Sequence, residues 1–217
     1  MARFSVIDDT TRPDHYFLGP DDACIYLYEY TSGQGYSFSA TNQLISNLKK
    51  KPSLANTPQY AWKTRAINQC AADIRGGLVE EWMNSATFVP VPGSKAKDAP
   101  EFDDRMARIC RLLGPEVDVR TLVIQTQSTA AAHEAGGGHR ISVDELLEVY
   151  AIDEDIADPV PTYLAIVDDV LTAGTHFRAM STILAARFPG VPIVGIFVAR
   201  RVFANVFDTA DWDDAEF

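Results

Sequence analysis

The 217-residue sequence predicts an α/β protein with a central, mostly parallel twisted sheet flanked by helices. Several short apolar runs are continuous and do not alternate with polar residues, which is typical of strands that are covered on both faces. Between these runs, apolar residues recur three and four positions apart, which indicates amphipathic helices. Strands that alternate with helices along a chain favour a parallel sheet.

The first 85 residues predict an N-terminal arm and a hood-like α+β elaboration. Residues 1–22 are polar and irregular, as expected for an arm. The segment CIYLYEY (24–30) predicts a strand. The turn residues TSGQG follow it, and they favour a hairpin with YSFSA as its second strand.

Two helices are expected in the rest of this region. We expect Thr41 to cap the first, which ends at the lysines of positions 49–51 because proline follows them. The second carries an apolar stripe at every fourth position, which Gly76-Gly77 weakens or divides. Its two tryptophans favour packing in the core. The stripe consists of Trp62, Ala66, Cys70, Ile74, Leu78 and Trp82.

Residues 86–203 predict the main α/β unit, and residues 204–217 predict a solvated acidic tail. Helical patterns occur in FDDRMARICRLL (102–113) and between Phe177 and Phe188. The strand candidates are ATFVPV (86–91), RTLVIQ (120–125), YLAIV (163–167) and PIVGIFVA (192–199).

The composition of the chain limits the classes of partner that we expect it to bind. The formal charge is −11, which argues against direct nucleic-acid binding, because phosphate backbones require clustered lysine and arginine. The three cysteines are far apart and predict core residues, not a disulfide framework or a zinc site. The first residues do not have the pattern of a secretory signal, and no window is apolar enough for a membrane span, so we expect a cytoplasmic protein.

The stretch around Asp168 and Asp169 carries the strongest chemical signal. Two adjacent acids end a buried strand, and a loop of small residues, TAGT (172–175), leads into a helix. The unpaired N–H groups at a helix N-terminus favour an anion, and small side chains let a phosphate approach the backbone. Two carboxylates suit a diol, a metal ion or both. A diol and a phosphate on one ligand describe ribose 5-phosphate.

The string AIVDDVLTAGTHF (165–177) resembles the phosphoribosyl-pyrophosphate (PRPP) signature of type I phosphoribosyltransferases. A Rossmann or Walker loop does not fit, because their glycines and lysine are absent. The resemblance implies a type I phosphoribosyltransferase-like fold and transfer of the 5-phosphoribosyl group from PRPP to a nitrogen acceptor, with Mg²⁺ and release of pyrophosphate.

Two further segments are similar to the ComF-like branch of this family. FVPVPGSKAKDAPEFDDRMARI (88–109) resembles its pyrophosphate loop, and TQSTAAAHEAGGGHRISVDELLEVYAI (126–152) resembles its catalytic lid. Two features depart from that branch. The arginines and Gly-Phe-Asn expected in the first segment are replaced by KDAPEFDDR, and the four-cysteine zinc module is missing.

The resemblance implies a role for each matching residue. Asp168 and Asp169 would hold the ribose hydroxyls, directly or through magnesium and water, and would act in catalysis with Lys95 and Arg140. The 5-phosphate would lie against Thr172, Ala173, Gly174, Thr175 and His176. The pyrophosphate loop would comprise Gly93, Ser94 and Lys95. The lid would contribute Gln127, His133 and Arg140.

An alternative stays open at this point: a catalytically inactive PRPP- or nucleotide-sensing regulatory or assembly protein with the same fold. Lys95 and Lys97 also fit solvated loop charges, and His133, His139 and Arg140 fit surface groups. The acceptor substrate is not identified by the sequence. A homodimer and a complex with a partner protein both stay open.

Overall fold

The structure is a computed structural model, and it describes residues 2–128 and 141–204. Its strands are β1 (Ser5–Val6), β2 (Ala23–Ser32), β3 (Ala86–Pro90), β4 (Asp118–Val119), β5 (Val123–Gln125), β6 (Tyr150–Ile152), β7 (Tyr163–Leu171) and β8 (Ile193–Phe203). Its α-helices are α1 (Ala40–Leu48), α2 (Tyr60–Gly77), α3 (Glu80–Ser85), α4 (Arg105–Arg111), α5 (Val143–Val149) and α6 (Thr175–Arg187). Short 3-10 helices lie at Arg12–Asp14, Pro52–Leu54 and Glu154–Ile156.

The central sheet has six strands in the order β1-β2-β8-β7-β3-β4. All neighbouring pairs are parallel except β1 with β2, so the predicted α/β class with a mostly parallel sheet is confirmed. Strands β5 and β6 form a separate antiparallel pair. Strand β7 lies inside the central sheet between β3 and β8, which places the end of β7 beside the segments that follow both neighbours.

Helices cover both faces of this sheet. One hydrophobic cluster packs α1, α2, α3 and α4 on one face, and the other packs α5, α6 and the small sheet on the opposite face. Strand β7 contributes residues to both hydrophobic clusters. Ala165 and Val167 belong to the first cluster, and Leu164 and Ile166 belong to the second. This double coverage explains the continuous apolar run. The first cluster draws residues from both sides of position 85, so the N-terminal region and the following unit share a core.

The strand at residues 24–30 is confirmed, but the hairpin predicted to follow it is wrong. Strand β2 pairs with β8 along nearly its whole length, from Ala23 opposite Val194 to Ser32 opposite Phe203. This pairing provides hydrogen-bond partners for backbone N–H and C=O groups of β8 that would be unpaired if β8 were an edge strand.

The strand predicted at residues 120–125 is divided between the two sheets. The chain leaves the central sheet after Arg120, whose N–H donates to the carbonyl of Phe88 at 3.0 Å. Strand β5 then pairs with β6.

The helix ends differ in detail from the sequence expectations. Ser39 caps α1, with its hydroxyl accepting from a backbone N–H of the first turn, so the prediction of Thr41 is wrong. The predicted stripe is divided after Gly77, as the two glycines suggested. Trp82 packs against the core, whereas Trp62 is 49 % exposed and its predicted core position is wrong.

The three cysteines are buried and free, as predicted. No helix within the described ranges is both long and apolar enough to cross a membrane.

The packing of β8 against α6 yields a stability prediction. A Cβ atom on Gly195 would lie 2.8 Å from the Cys24 sulfur and 2.9 Å from the Phe177 ring. We expect Gly195→Ala to lower the free energy of unfolding by about 1–3 kcal/mol through overpacking. Chemical denaturation measures this change. The control is Gly76→Ala on α2, where no atom lies within 4 Å, and it should gain about 0.5–1 kcal/mol. Equal stability of the two variants would contradict the packing argument.

Candidate functional site

The two adjacent acids lie near the carboxyl end of β7, which continues past them to Leu171. The strand is therefore longer than the predicted segment 163–167. Side chains of neighbouring strand residues point to opposite faces of a sheet, so the two carboxylates have different surroundings. Asp169 is only 4 % exposed, whereas Asp168 is partly exposed. One oxygen of Asp168 accepts from the N–H of Asp169 at 2.8 Å.

Two cations hold the buried carboxylate of Asp169. Oδ2 accepts from Nε and Nη2 of Arg105 at 3.0 and 2.7 Å, and Oδ1 lies 3.2 Å from the ammonium of Lys49. Arg105 is the first residue of α4, and Lys49 directly follows α1. A buried carboxylate is costly unless it is paired in this way. Asp169 is therefore neutralised by the protein itself.

The network continues through a second acid. Nη1 of Arg105 donates to Asp103 at 2.8 Å, and the same oxygen of Asp103 accepts from Lys63 at 2.6 Å. Lys63 lies on α2, has no exposed surface, and also donates to the carbonyl of Lys50 at 2.7 Å. Burial lowers the pKa of Lys63, and the bond to Asp103 opposes that effect. These ion pairs link α1, α2, the segment before α4, and β7.

The environments drive the pKa values of the two acids in opposite directions. Burial raises the pKa of Asp168 to about 7, and repulsion from the neighbouring Asp169 carboxylate adds to this. Burial also disfavours the charged form of Asp169, but Lys49 and Arg105 outweigh it and hold its pKa below the usual range. Asp169 is thus the permanent anion of the pair, and Asp168 is the acid that titrates near neutral pH.

The loop predicted to bind phosphate connects β7 to α6. Thr172, Ala173 and Gly174 form the turn, while Thr175 and His176 begin the helix. Gly174 has a φ of 89° and stands at the N-cap, a conformation that favours glycine. Because the N-cap residue is glycine, it supplies no side chain to cap the helix. Its first N–H groups have no intrahelical acceptor, as at any helix N-terminus, and such groups suit an anion.

The N-terminal arm fixes the orientation of this loop. Nδ1 of the fully buried His15 donates to the carbonyl of Thr172, and the N–H of Phe17 donates to the carbonyl of Ala173 at 3.0 Å. In a planar trans peptide the C=O and the next N–H point in opposite directions. The N–H groups of Ala173 and Gly174 therefore point away from the arm. The arm holds a cradle of donors in the orientation that an anion needs.

His176 is tied to the opposite side of the site. Its Nδ1 lies 2.8 Å from the hydroxyl of Tyr150 on β6. Burial lowers the pKa of His176 to about 4, so the ring is neutral at pH 7. The side chain therefore supplies no charge to a phosphate, and any contribution of His176 to the cradle comes from its backbone.

The segment predicted as the pyrophosphate loop follows β3, the neighbour of β7. Gly93, Ser94 and Lys95 are all partly buried there. The side-chain amide of Gln125 donates to the carbonyls of Ser94 and Gln127, both at 2.8 Å. The side chain of Gln127 is exposed. Gln125, which the sequence did not single out, therefore joins the pyrophosphate-loop segment to the start of the predicted lid.

The structure thus gathers some of the predicted site residues and leaves others aside. The acid pair and residues 172–176 share one end of β7, and the loop of residues 93–95 follows the neighbouring strand β3. His133 and Arg140 belong to residues 129–140 and lie outside the described part of the chain. Lys97 is exposed.

Sequence reasoning missed the residues that neutralise and orient the site. Lys49 carried only the signal of a cation at a helix end, and Arg105 only that of a polar position in a helical pattern. His15 lay in a segment without periodicity. Each acts through a partner that is distant in the sequence, so no local pattern could identify them.

The donor set fits a magnesium ion that arrives with a phosphorylated ligand. Among the described residues, no group of three or more histidine, cysteine or acidic side chains is placed to hold a metal by itself. Mg²⁺ typically uses one or two carboxylates together with substrate phosphates and water. Asp168 fits this role, because both oxygens of Asp169 are already occupied by cations.

Comparisons with known proteins do not identify this site, so its function is inferred from its residues. No family model matches the sequence, and no curated protein matches it significantly. The resemblance to the phosphoribosyltransferase family therefore rests on the sequence alone, on residues 165–177 and the segments at 88–109 and 126–152.

The ion pairs of Arg105 yield a prediction on stability. We expect Arg105→Met to cost about 3–5 kcal/mol, because it leaves Asp169 buried with one partner fewer. The double variant Arg105→Met/Asp169→Asn should lose less than the sum of the single changes, by about 1–3 kcal/mol. Denaturant titration of the four proteins measures this coupling. Arg187→Met, which breaks an exposed pair with Glu154, is the control and should change little. Strict additivity would argue against a coupled pair.

The raised pKa of Asp168 predicts that the free energy of unfolding depends on pH. Because the folded-state pKa of about 7 exceeds the unfolded value of about 4, the folded protein holds the extra proton between these limits. The free energy of unfolding should therefore fall as pH rises through this window. We expect Asp168→Asn, which can still accept from the N–H of Asp169, to be more stable by about 1–3 kcal/mol at pH 8.

The advantage of Asp168→Asn should shrink toward pH 4, where the native acid is protonated. Thermal melts of both proteins from pH 4 to 8 measure it. A constant difference between them across this range would contradict the assignment of the titration to Asp168.

Proposed function

We propose that this protein is a phosphoribosyltransferase of the type I class that binds PRPP with Mg²⁺ and transfers its 5-phosphoribosyl group to a nitrogen acceptor. In this reaction the bond between C1′ of the ribose and the pyrophosphate oxygen breaks. A bond between C1′ and the acceptor nitrogen forms, pyrophosphate leaves with the bonding electron pair, and the acceptor loses a proton.

The observation that carries the proposal is the donor cradle of residues 172–176 directly after an acid pair. The backbone N–H groups of Ala173 and Gly174 and those of the first turn of α6 suit the 5-phosphate. The acids, three to four residues earlier, suit the ribose hydroxyls of the same ligand. The arm residues His15 and Phe17 support this assignment, because they hold the loop carbonyls away from the anion.

The two acids then have different roles. Asp168 is partly exposed and has the oxygen that is free to meet a hydroxyl or a metal-bound water. Asp169 is fixed by Arg105 and Lys49, and it holds these two cations beside the site. Cations suit the negative charge that develops on a departing pyrophosphate, and this electrostatic effect is the main aid to such a reaction.

The magnesium ion would neutralise pyrophosphate charge and help to orient the ribose when it is bound. Asp168 would be its ligand on the protein, directly or through water. The loop of Gly93, Ser94 and Lys95 would bind the pyrophosphate. Gln125 joins this loop to the start of the lid, and it would hold that end of the lid beside the pyrophosphate. Closing such a segment excludes water from a reactive ribosyl centre.

A second candidate function has its own supporting observation. Asp169 is already neutralised by Lys49 and Arg105, and the segment after the loop contains Asp98, an exposed acid that opposes a polyanion. These features favour a PRPP- or nucleotide-sensing protein that binds its ligand without turnover. In that case the ligand would act by changing the contacts of the ion-pair network.

Calorimetric titration of PRPP, with and without Mg²⁺, tests the proposal. We expect magnesium-dependent binding to the native protein and its loss in Asp168→Asn/Asp169→Asn. The control is Asp155→Asn, an exposed acid in the 3-10 helix at Glu154–Ile156, which should bind as the native protein does. Pyrophosphate release with ammonia or a panel of nucleobases then separates the two candidates. Binding without any release favours the sensor, and no binding at all eliminates both.

A further inference from the structure

The part of the protein formed by α1, α2 and α4 differs in charge from the rest of the chain. Residues 40–77 and 104–113 contain nine lysines and arginines and only two acids, whereas the whole chain has 19 lysines and arginines and 30 acids. One of these two acids, Asp73, accepts a hydrogen bond from the hydroxyl of Tyr28 at 2.9 Å. A strongly acidic chain therefore presents one basic surface, and a local excess of charge attracts partners of the opposite sign.

Four cations on this surface have no carboxylate partner in the described part of the chain, and we call them the basic face. They are Lys50, Arg65, Arg108 and Arg111. Contacts within the fold bring their helices together. The carbonyl of Lys50 accepts from Lys63 on α2 at 2.7 Å, and Nη1 of Arg108 donates to the hydroxyl of Tyr60 at the start of α2 at 3.2 Å. Arg65 and Arg111 are exposed.

Arginines elsewhere in the described ranges are mostly held by acids. Arg120, Arg187 and Arg200 each pair with a carboxylate at 2.6–2.9 Å. A chain with 30 acids could supply the same partners to the basic face, but the fold places none of the described ones against it. The charge of this face is therefore left for an acidic segment that approaches from outside the described fold.

Apolar side chains accompany these cations. Trp62 is 49 % exposed, and the guanidinium of Arg65 lies 4.7 Å from the centre of its ring. Leu112, which directly follows Arg111, is 51 % exposed. Protein interfaces typically combine exposed aromatic anchors with surrounding polar and charged groups. The basic face thus suits a segment that carries aromatic residues as well as acids.

Residues 205–217, which we call the tail, have this composition. They follow β8 and lie outside the described part of the chain. The tail contains five acids, three aromatic residues and no lysine or arginine, and its Trp212 stands between Asp211 and Asp213. Its charge and its aromatic residues complement those of the basic face.

The tail is also long enough to reach the basic face. The register of β7 and β8 places Asp169 level with Val198, and Asp169 lies 3.2 Å from the ammonium of Lys49. Ala204 is six residues beyond Val198, which corresponds to about 20 Å along a strand. Thirteen extended residues span about 43 Å. A segment that starts after Ala204 can therefore pass Lys50, where the basic face begins, and continue along α2.

We infer that the acidic tail binds the basic face of its own molecule, with its carboxylates on the four cations and Trp212 against Trp62. Each exposed ion pair is weak, but a tethered segment is held at a high effective concentration, so several weak contacts are sufficient. Arg108 stands one turn after Arg105 on α4, so a bound tail brings negative charge next to the ion-pair network of Asp169. The inference does not depend on the proposed function.

The test places a paramagnetic label on the tail and detects its neighbours by NMR. The three native cysteines are buried, so a nitroxide reagent reacts selectively with Ala215→Cys in the full chain. We expect the label to broaden the indole N–H signal of Trp62 and the amide signals of Arg65 and Arg111. The same protein with the label reduced gives the reference intensities.

Two multiple variants test the role of charge, one on the tail and one on the basic face. They are Asp211→Asn/Asp213→Asn/Asp214→Asn and Arg65→Glu/Arg111→Glu. Each should abolish the broadening of the Trp62 indole signal, because the ion pairs are lost. The control is Arg187→Glu, which changes a partly exposed arginine on α6 in the opposite layer and should leave the broadening unchanged. Unchanged signals from the sheet in each variant guard against a folding defect.

The outcomes distinguish the tail from other occupants of the basic face. An unbroadened Trp62 signal, equal broadening over both layers, or broadening that the charge variants leave unchanged would overturn the inference. A mixture of labelled protein with isotope-enriched, unlabelled protein should show no broadening. Broadening in that mixture would assign the face to the tail of a second copy. If the tail has no effect and single-stranded DNA shifts the signals of Arg65 and Arg111, the face belongs to a nucleic acid and the inference fails.

Discussion

The ion pairs around Asp169 are the interaction on which the organisation of this protein depends. Arg105 and Lys49 hold the carboxylate from opposite sides, and Asp103 and Lys63 extend the network to α2. A buried charge of either sign would be costly alone, so the side chains must lie together for the fold to be stable. The network fixes three helices of one layer to β7. The N-terminal region is therefore part of the site and not a separate appendage.

The same arrangement explains how two adjacent acids can end a buried strand. Two adjacent carboxylates suit a diol or a metal ion, but the protein neutralises Asp169 itself. Asp168 is left with a raised pKa, because burial and the neighbouring charge both disfavour its anion. An acid that costs stability in the folded protein is typical of a site kept for binding or catalysis. The charged form of Asp168 is therefore disfavoured in the folded protein, and a ligand that interacts with this carboxylate would offset that cost.

Opposite layers of the fold contribute to one end of β7. The layer of α1 and α4 supplies the cations, while α6 supplies backbone donors and the arm at His15 and Phe17 orients them. In parallel α/β sheets, ligands lie beyond the carboxyl ends of the strands, where segments from both layers meet.

The sequence alone determined the elements that depend on local pattern. The strand and loop at residues 163–176 could be recognised because the apolar run, the acids and the small residues are contiguous, and the covered strands because their apolar runs do not alternate. Only the tertiary structure decided the partner of β2, since strand pairing is a long-range choice that a hairpin-like turn does not fix. It also decided that Lys49 and Arg105 neutralise Asp169 and that His15 orients the loop. These contacts join residues far apart in the chain, and ion pairs between distant positions leave no periodic signal in the sequence.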